Sequence, residues 1–392
     1  MSLTSQLQGG EIGRWCARRL TGTAEVAALL PKAVRGRRAV FPRGRVDGRH
    51  WAAVGGAFGA RLAALVQPAP PYYALHGLVA AGLARREWAD EQAVRYPTHA
   101  GLGAAQRGKA LDVRPTVTGW LDLVPGAGPS AQRSELQAIV SNTLGTRSGP
   151  ELALPAEPVL ADFLERTRTY AERHAPLGQL GTPGAEAGLA RSYWLLEMFE
   201  SVYRSGVVDE SMHQVFRPGV PTVEVMRAAA SEPVVEELAR MAEQTQSYGA
   251  LAELRRLAGN PAPGQPLGIA GPVLVNHWAD GDLLISGPEG ATLIDVKTVV
   301  KTDRPDRSSR WLWQLLCYAW LDTTDRYRIR NVAFYFARHG ALVTWPLTEF
   351  TNLLLGGTDP HEARAEFLTA ATRAMTSEGA RLPTPQADLP PT

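Results

Sequence analysis

Apolar positions recur at helical spacing through the first two thirds of the chain. GEIGRWCARRL, AVGGAFGARLAALV, YYALHGLVAAGLARREWADEQAVRY, LADFLERTRTYAERHA, GLARSYWLLEMFESVYRSG and PVVEELARMAEQTQSYGALAELRRLA all carry the pattern. Pro- and Gly-rich stretches such as RSGPELALPAEP and APLGQLGTPG punctuate them. At Gly259 the texture changes. After the turn NPAPGQPLG come the β-like runs GIAGPVLVNHW, GDLLIS and ATLIDVKTVV, with SGPEG read as a five-residue hairpin turn between the last two. RWLWQLLCYAWLDTTD then reads as a helix, RIRNVAFYFAR and ALVTWPL as two strands meeting at HG, and EARAEFLTAATRAMTSEG as an amphipathic helix. The expected organisation is a mostly helical region over 1–260, a mixed α/β (α+β) part over 261–380, and a disordered Pro-rich tail over 381–392.

One strand breaks its own pattern. TLIDVKTVV is apolar on both faces, as a central covered strand is, yet it holds Asp295 and Lys297. Buried charge is costly unless it is paired or bound to a metal. Strand alternation puts Leu293, Asp295 and Lys297 on one face, and Asp280, Asp282 and Leu284 on one face of the preceding strand. An antiparallel hairpin sets Asp282 beside Asp295. Two carboxylates, with the Val296 carbonyl as a third donor, make a hard oxygen site for Mg²⁺ or Mn²⁺. Lys297 in the same pocket can orient a water or neutralise charge building on a phosphate. Asp280 shares the face of Asp282 and is the alternative ligand, and a plain Asp295–Lys297 ion pair is the alternative to any chemistry. In the next helix Gln314 and Tyr318 stand at i and i+4 on a segment apolar nearly all round, where a buried amide needs partners.

Composition adds limits. With 392 residues, 45% hydrophobic and 20% charged, and a net charge of +2, the chain is an ordinary globular one with no global basic field. Two distant cysteines, Cys16 and Cys317, exclude a four-thiolate zinc or iron–sulfur site and suggest a reducing cytoplasm. No signal-peptide core and no membrane-length apolar run is present, so no membrane partner is expected. Charge is local: Lys32, Arg35, Arg37, Arg38, Arg43, Arg45 and Arg49 face one acid, Asp47. Lys301, Arg304, Arg307 and Arg310 follow the Asp295 strand. Such arginine clusters suit phosphate contacts, which makes both segments candidate nucleic-acid surfaces. Trp311 and Trp313 are core residues or base-stacking platforms.

Asp282, then Asp295-Val296-Lys297, then Gln314-Leu-Leu-Cys-Tyr318 resembles the PD-(D/E)XK nuclease superfamily, and most of all its RecB-type branch with the pattern GxxD…DxK…QxxxY. The resemblance covers about 40 residues of motif in a core of about 100. It implies a core with a mixed central sheet flanked by helices, an opening helix near 53–66, and a helical insertion over about 70–260 on which a protein partner could dock. It implies Asp282, Asp295 and Val296 as Mg²⁺ or Mn²⁺ ligands, Lys297 as the catalytic lysine, and Gln314 and Tyr318 as positioning residues. The implied activity is a metal-dependent deoxyribonuclease leaving 5′-phosphate and 3′-hydroxyl ends, in DNA repair or in prokaryotic antiviral defence. The chain departs from the pattern at Gly59, where the opening helix would carry a His or an acid. Two alternatives stay open: a catalytically silent nuclease-fold subunit that binds nucleic acid or a partner, and a ribonuclease.

Overall fold

In the computed structural model, residues 2–104, 107, 153–216, 219–276 and 278–383 are described. Most of the Pro-rich tail, His277 and much of the expected helical insertion lie outside them. The chain forms two compact units: Met1–Phe41 with Met241–Thr392, and Pro42–Arg240.

The first unit is built on a mixed five-stranded sheet. Its strands are β1 (Gly268–Ala270), β4 (Leu283–Gly287), β5 (Gly290–Lys297), β6 (Ile329–Phe336) and β7 (Ala341–Pro346), in the order β1-β4-β5-β6-β7. A separate antiparallel ladder pairs β2 (Val273–Val275) with β3 (Ala279–Asp280). GIAGPVLVNHW is therefore two strands, not one. Gly271 at φ +61, followed by Pro272, turns the chain out of the sheet. The β4–β5 hairpin is tighter than the five-residue turn expected from SGPEG. Its pairing runs to Gly287↔Gly290 and leaves Pro288-Glu289 as the turn. Gly290 sits at φ +131 against Arg330 and the Arg328 carbonyl, where a side chain would collide.

β5 and β6 are parallel, so the chain must cross over between them, and the helix Pro305–Leu321 makes that crossing. Leu312, Leu315, Leu316 and Leu321 on this helix are fully buried, with Val332, Phe334 and Phe336 of β6 in the same core. Part of that core comes from the far end of the sequence. Helices Leu3–Leu7 and Glu11–Arg19 contribute Leu3, Leu7, Ile12, Trp15 and Cys16, and Thr23–Ala27 adds Val26. The helix Pro360–Ser377 closes it with Phe367 and Met375.

Among the described residues of the second unit, the regular secondary structure is helical. Its long helix Pro183–Ser205 packs on Gly48–Val66 and Tyr72–Ala80. The stretch from Tyr72 is two helices, because Gly82 at φ +71 ends the first before Arg86–Ala93 begins. Arg61 and Glu186 form a buried two-pronged ion pair at 2.8 and 2.9 Å. The segment 53–66 expected to open the sheet-bearing core lies in helix Gly48–Val66 of this unit. No described helix is long and apolar enough to cross a membrane.

Candidate functional site

Hairpin register assembles the first part of the site. Leu283 lies opposite Ile294 and Leu284 opposite Leu293, so the next step outward brings Asp282 toward Asp295. Asp282 stands just before β4 and accepts a 2.7 Å hydrogen bond from the Val296 amide. That bond continues the hairpin through a side chain where the ladder stops. Asp295 is buried in β5, opposite Phe334 of β6. Its Oδ2 lies 2.6 Å from Lys297 Nζ, and no donor is aligned for a full hydrogen bond to that oxygen.

The crossing helix supplies the second part. Lys297 Nζ donates to Gln314 Oε1 at 3.3 Å, and Gln314 Nε2 donates to the Tyr318 hydroxyl at 3.0 Å. Gln314 Nε2 also reaches Thr4 Oγ1 at 3.2 Å. Carboxylate, ammonium, amide and phenol thus form one chain of polar contacts across the open end of an apolar core. The Lys297 ammonium lies 5.7 Å from the centre of the Trp311 ring.

The electrostatics follow from crowding. Asp282 is open to solvent on one side but enclosed by protein on the others. That desolvation, with the charge of Asp295, pushes its pKa up to about 7, against the pull of Lys297 and the Val296 amide. Burial raises the pKa of Asp295 as well, and Lys297 opposes the rise. Burial and the three nearby aspartates push the Tyr318 phenol upward, so it stays a neutral hydroxyl that accepts from Gln314. Two carboxylates that resist ionising side by side offer what a divalent cation reverses. Among the described residues no group of three His, Cys, Asp or Glu side chains could hold a metal ion. Asp282 and Asp295 together form a carboxylate pair, the oxygen chemistry that hard cations take.

No family model matches this chain, and neither a curated protein nor a solved structure matches it.

The remaining residues singled out in the sequence sit around this polar chain. Asp280 belongs to β3, paired with Val273 in the separate ladder, and its charge acts on both Asp282 and Tyr318. Lys301, Arg304 and Arg307 are exposed on the approach to and start of the crossing helix, and Arg310 is half-buried. Asp306 lies 3.8 Å from Arg304 and 3.6 Å from Arg310. Trp313 donates its indole N–H to Thr23 Oγ1 at 3.0 Å, so it is tied into the core. Two neighbours had no signal in the sequence. Thr4 comes from the first helix, and Arg338, fully buried, donates Nε to the Thr298 carbonyl just beyond Lys297 at 2.9 Å.

Proposed function

We propose that this chain is a metal-dependent nuclease that hydrolyses phosphodiester bonds, with DNA as substrate. The observation that supports the reading is the polar chain Asp282–Asp295–Lys297–Gln314–Tyr318. Three segments, the start of β4, β5 and the crossing helix, converge there on a mixed sheet, where a bare ion pair would need neither Asp282 nor Gln314. The order hairpin, crossing helix, parallel strand is also the order that the PD-(D/E)XK resemblance calls for. In this reading Asp282 and Asp295 hold Mg²⁺ or Mn²⁺, with Val296 alongside. The ion would supply Lewis-acid polarisation of the scissile phosphate and a water of lowered pKa. Lys297 holds its ammonium toward the charge that builds on the phosphate and restrains the attacking water. Gln314 fixes the lysine through its Oε1 and is itself fixed by Tyr318. Lys301, Arg304, Arg307 and Arg310 take the flanking backbone phosphates.

The test is direct. Purified protein is incubated with linear, circular and single-stranded DNA, and with RNA, in Mg²⁺, Mn²⁺ or EDTA, beside Lys297→Ala. The expected result is metal-dependent cutting of DNA lost by at least ~100-fold in the variant, the scale of one removed electrostatic stabiliser. Cutting that persists unchanged in Lys297→Ala overturns the assignment, and cutting confined to RNA moves the substrate. A second reading, a nuclease-fold subunit that binds without cutting, draws on Gly59, which stands where the opening helix of the resemblance would carry a His or an acid. Calorimetry separates the two: no Mg²⁺ or Mn²⁺ binding favours the second.

A further inference from the structure

Residues 37–41 form neither helix nor strand, yet Arg37, Arg38 and Val40 are each bonded to the sheet-bearing unit. Arg37 Nη1 donates to the Gly340 carbonyl at 2.6 Å, and its guanidinium lies 4.9 Å from the centre of the Tyr248 ring. The Arg38 amide donates to the Tyr248 hydroxyl at 3.2 Å, and Gln244 Nε2 donates to the Arg38 carbonyl at 2.5 Å. The Val40 amide donates to the Arg338 carbonyl at 2.8 Å, and Arg338 Nη1 returns a bond to the Val40 carbonyl at 2.9 Å. The same buried guanidinium holds the Thr298 carbonyl, one residue beyond Lys297. The segment thus runs one guanidinium's width from the end of the strand that carries Asp295 and Lys297.

What this anchored segment turns outward is the opposite of what anchoring for stability would select. Phe41 is 56% exposed, the most exposed large apolar side chain among the described residues. Arg35 and Arg38 are exposed, and among the described residues no carboxylate pairs with either. Tyr248 beside them is 37% exposed. An exposed ring makes no hydrogen bond with water, and Arg35 and Arg38 add two exposed positive charges within six residues of it in the chain. A polyanion with a free aromatic face answers to both.

We propose that residues 35–41 are a binding surface for single-stranded nucleic acid: Phe41 stacks on an unpaired base while Arg35 and Arg38 hold the flanking phosphates. The proposal rests on the nuclease reading for its purpose, since it delivers the strand toward Lys297. A duplex, whose bases are already stacked, gives Phe41 no partner, so the surface selects single strands.

The experiment is fluorescence anisotropy of a labelled oligothymidylate of about 20 nucleotides, a duplex of equal length and an oligouridylate, with the full chain in EDTA so that nothing is cut. Phe41→Ala is expected to weaken oligothymidylate binding roughly ten-fold or more and to leave the duplex unchanged. The Arg35→Ala, Arg38→Ala pair is expected to flatten the dependence of log K on log salt by about 1.4, the share of two phosphate contacts on a single strand. The same Phe41 dependence on oligouridylate supports the surface and extends it to RNA. Unchanged affinity in Phe41→Ala, equal loss on duplex and single strand, or no binding by the wild type overturns the proposal. The two readings fail separately. Wild type that binds through Phe41 but cuts nothing with metal sinks the nuclease alone, and cutting with Phe41-independent binding sinks this surface alone.

Discussion

At the scale of single residues, the protein places two carboxylates where their charges are unwelcome. Desolvation and the charge of Asp295 raise the Asp282 pKa from its ordinary 3.8 to about 7 in the folded chain. Between those values the folded state binds more protons than the unfolded one, so this stabilisation is full below the lower value. It is lost as pH rises through about 7. Without metal, Asp282→Asn is therefore expected to melt at the same temperature as wild type near about pH 3 and above it near about pH 8. Thermal melts of both proteins at the two pH values check this, and an equal difference at both would contradict it. Added Mg²⁺ is expected to raise the wild-type melting temperature at the higher pH and leave the variant's unchanged, because ligand binding to the folded state adds stability only where the site exists.

At the scale of elements, close approach of helices is written in small residues. Gly77 of Tyr72–Ala80 lies under the Phe199 carbonyl of Pro183–Ser205, and a Cβ there would come within 1.8 Å of that oxygen. Backbone cannot step aside as a side chain can. Gly77→Ala is expected to cost about 3 kcal/mol, at the upper end of overpacking. Gly59, in the interior of Gly48–Val66, faces open space, so Gly59→Ala is expected to be neutral or to stabilise by about 0.5–1 kcal/mol through helix propensity alone. Urea denaturation of the pair measures both, and similar losses in the two variants would refute the packing argument. The crossing helix makes the same point for function. Its periodicity announced burial of Leu312, Leu315 and Leu316, and the exceptions at Gln314 and Tyr318 were the visible sign of a polar pocket.

At the scale of the whole molecule, the sheet-bearing unit draws its core from both ends of the chain. Leu3, Ile12, Trp15, Cys16 and Val26 are buried in the same core as Leu316 and Phe334. A fragment of residues 241–392 would expose that face, at about 1.5–3 kcal/mol for each large side chain left unburied. It is expected to show no cooperative thermal transition, and co-expression with residues 1–41 is expected to restore one. A sharp melt of the lone fragment would show that the N-terminal helices are dispensable.

The sequence by itself determined what depends on near neighbours. Period 2 in GDLLIS and TLIDVKT, with a short connection between them, fixed which residues share a face and brought Asp282 beside Asp295; period 3.6 in RWLWQLLCYAWL set Gln314 above Tyr318. Turn length escaped it, because Ser286 and Gly287 still pair and only Pro288-Glu289 must turn. Tertiary structure decided what depends on distant partners. Thr4 meets Gln314 across 310 positions and Arg338 meets Val40 across 298, and no local period encodes such contacts. The boundary at Phe41 belongs to the same class: a helix of residues 11–19 and one of residues 48–66 look alike as amphipathic segments, and only the surface each one buries assigns it to a unit.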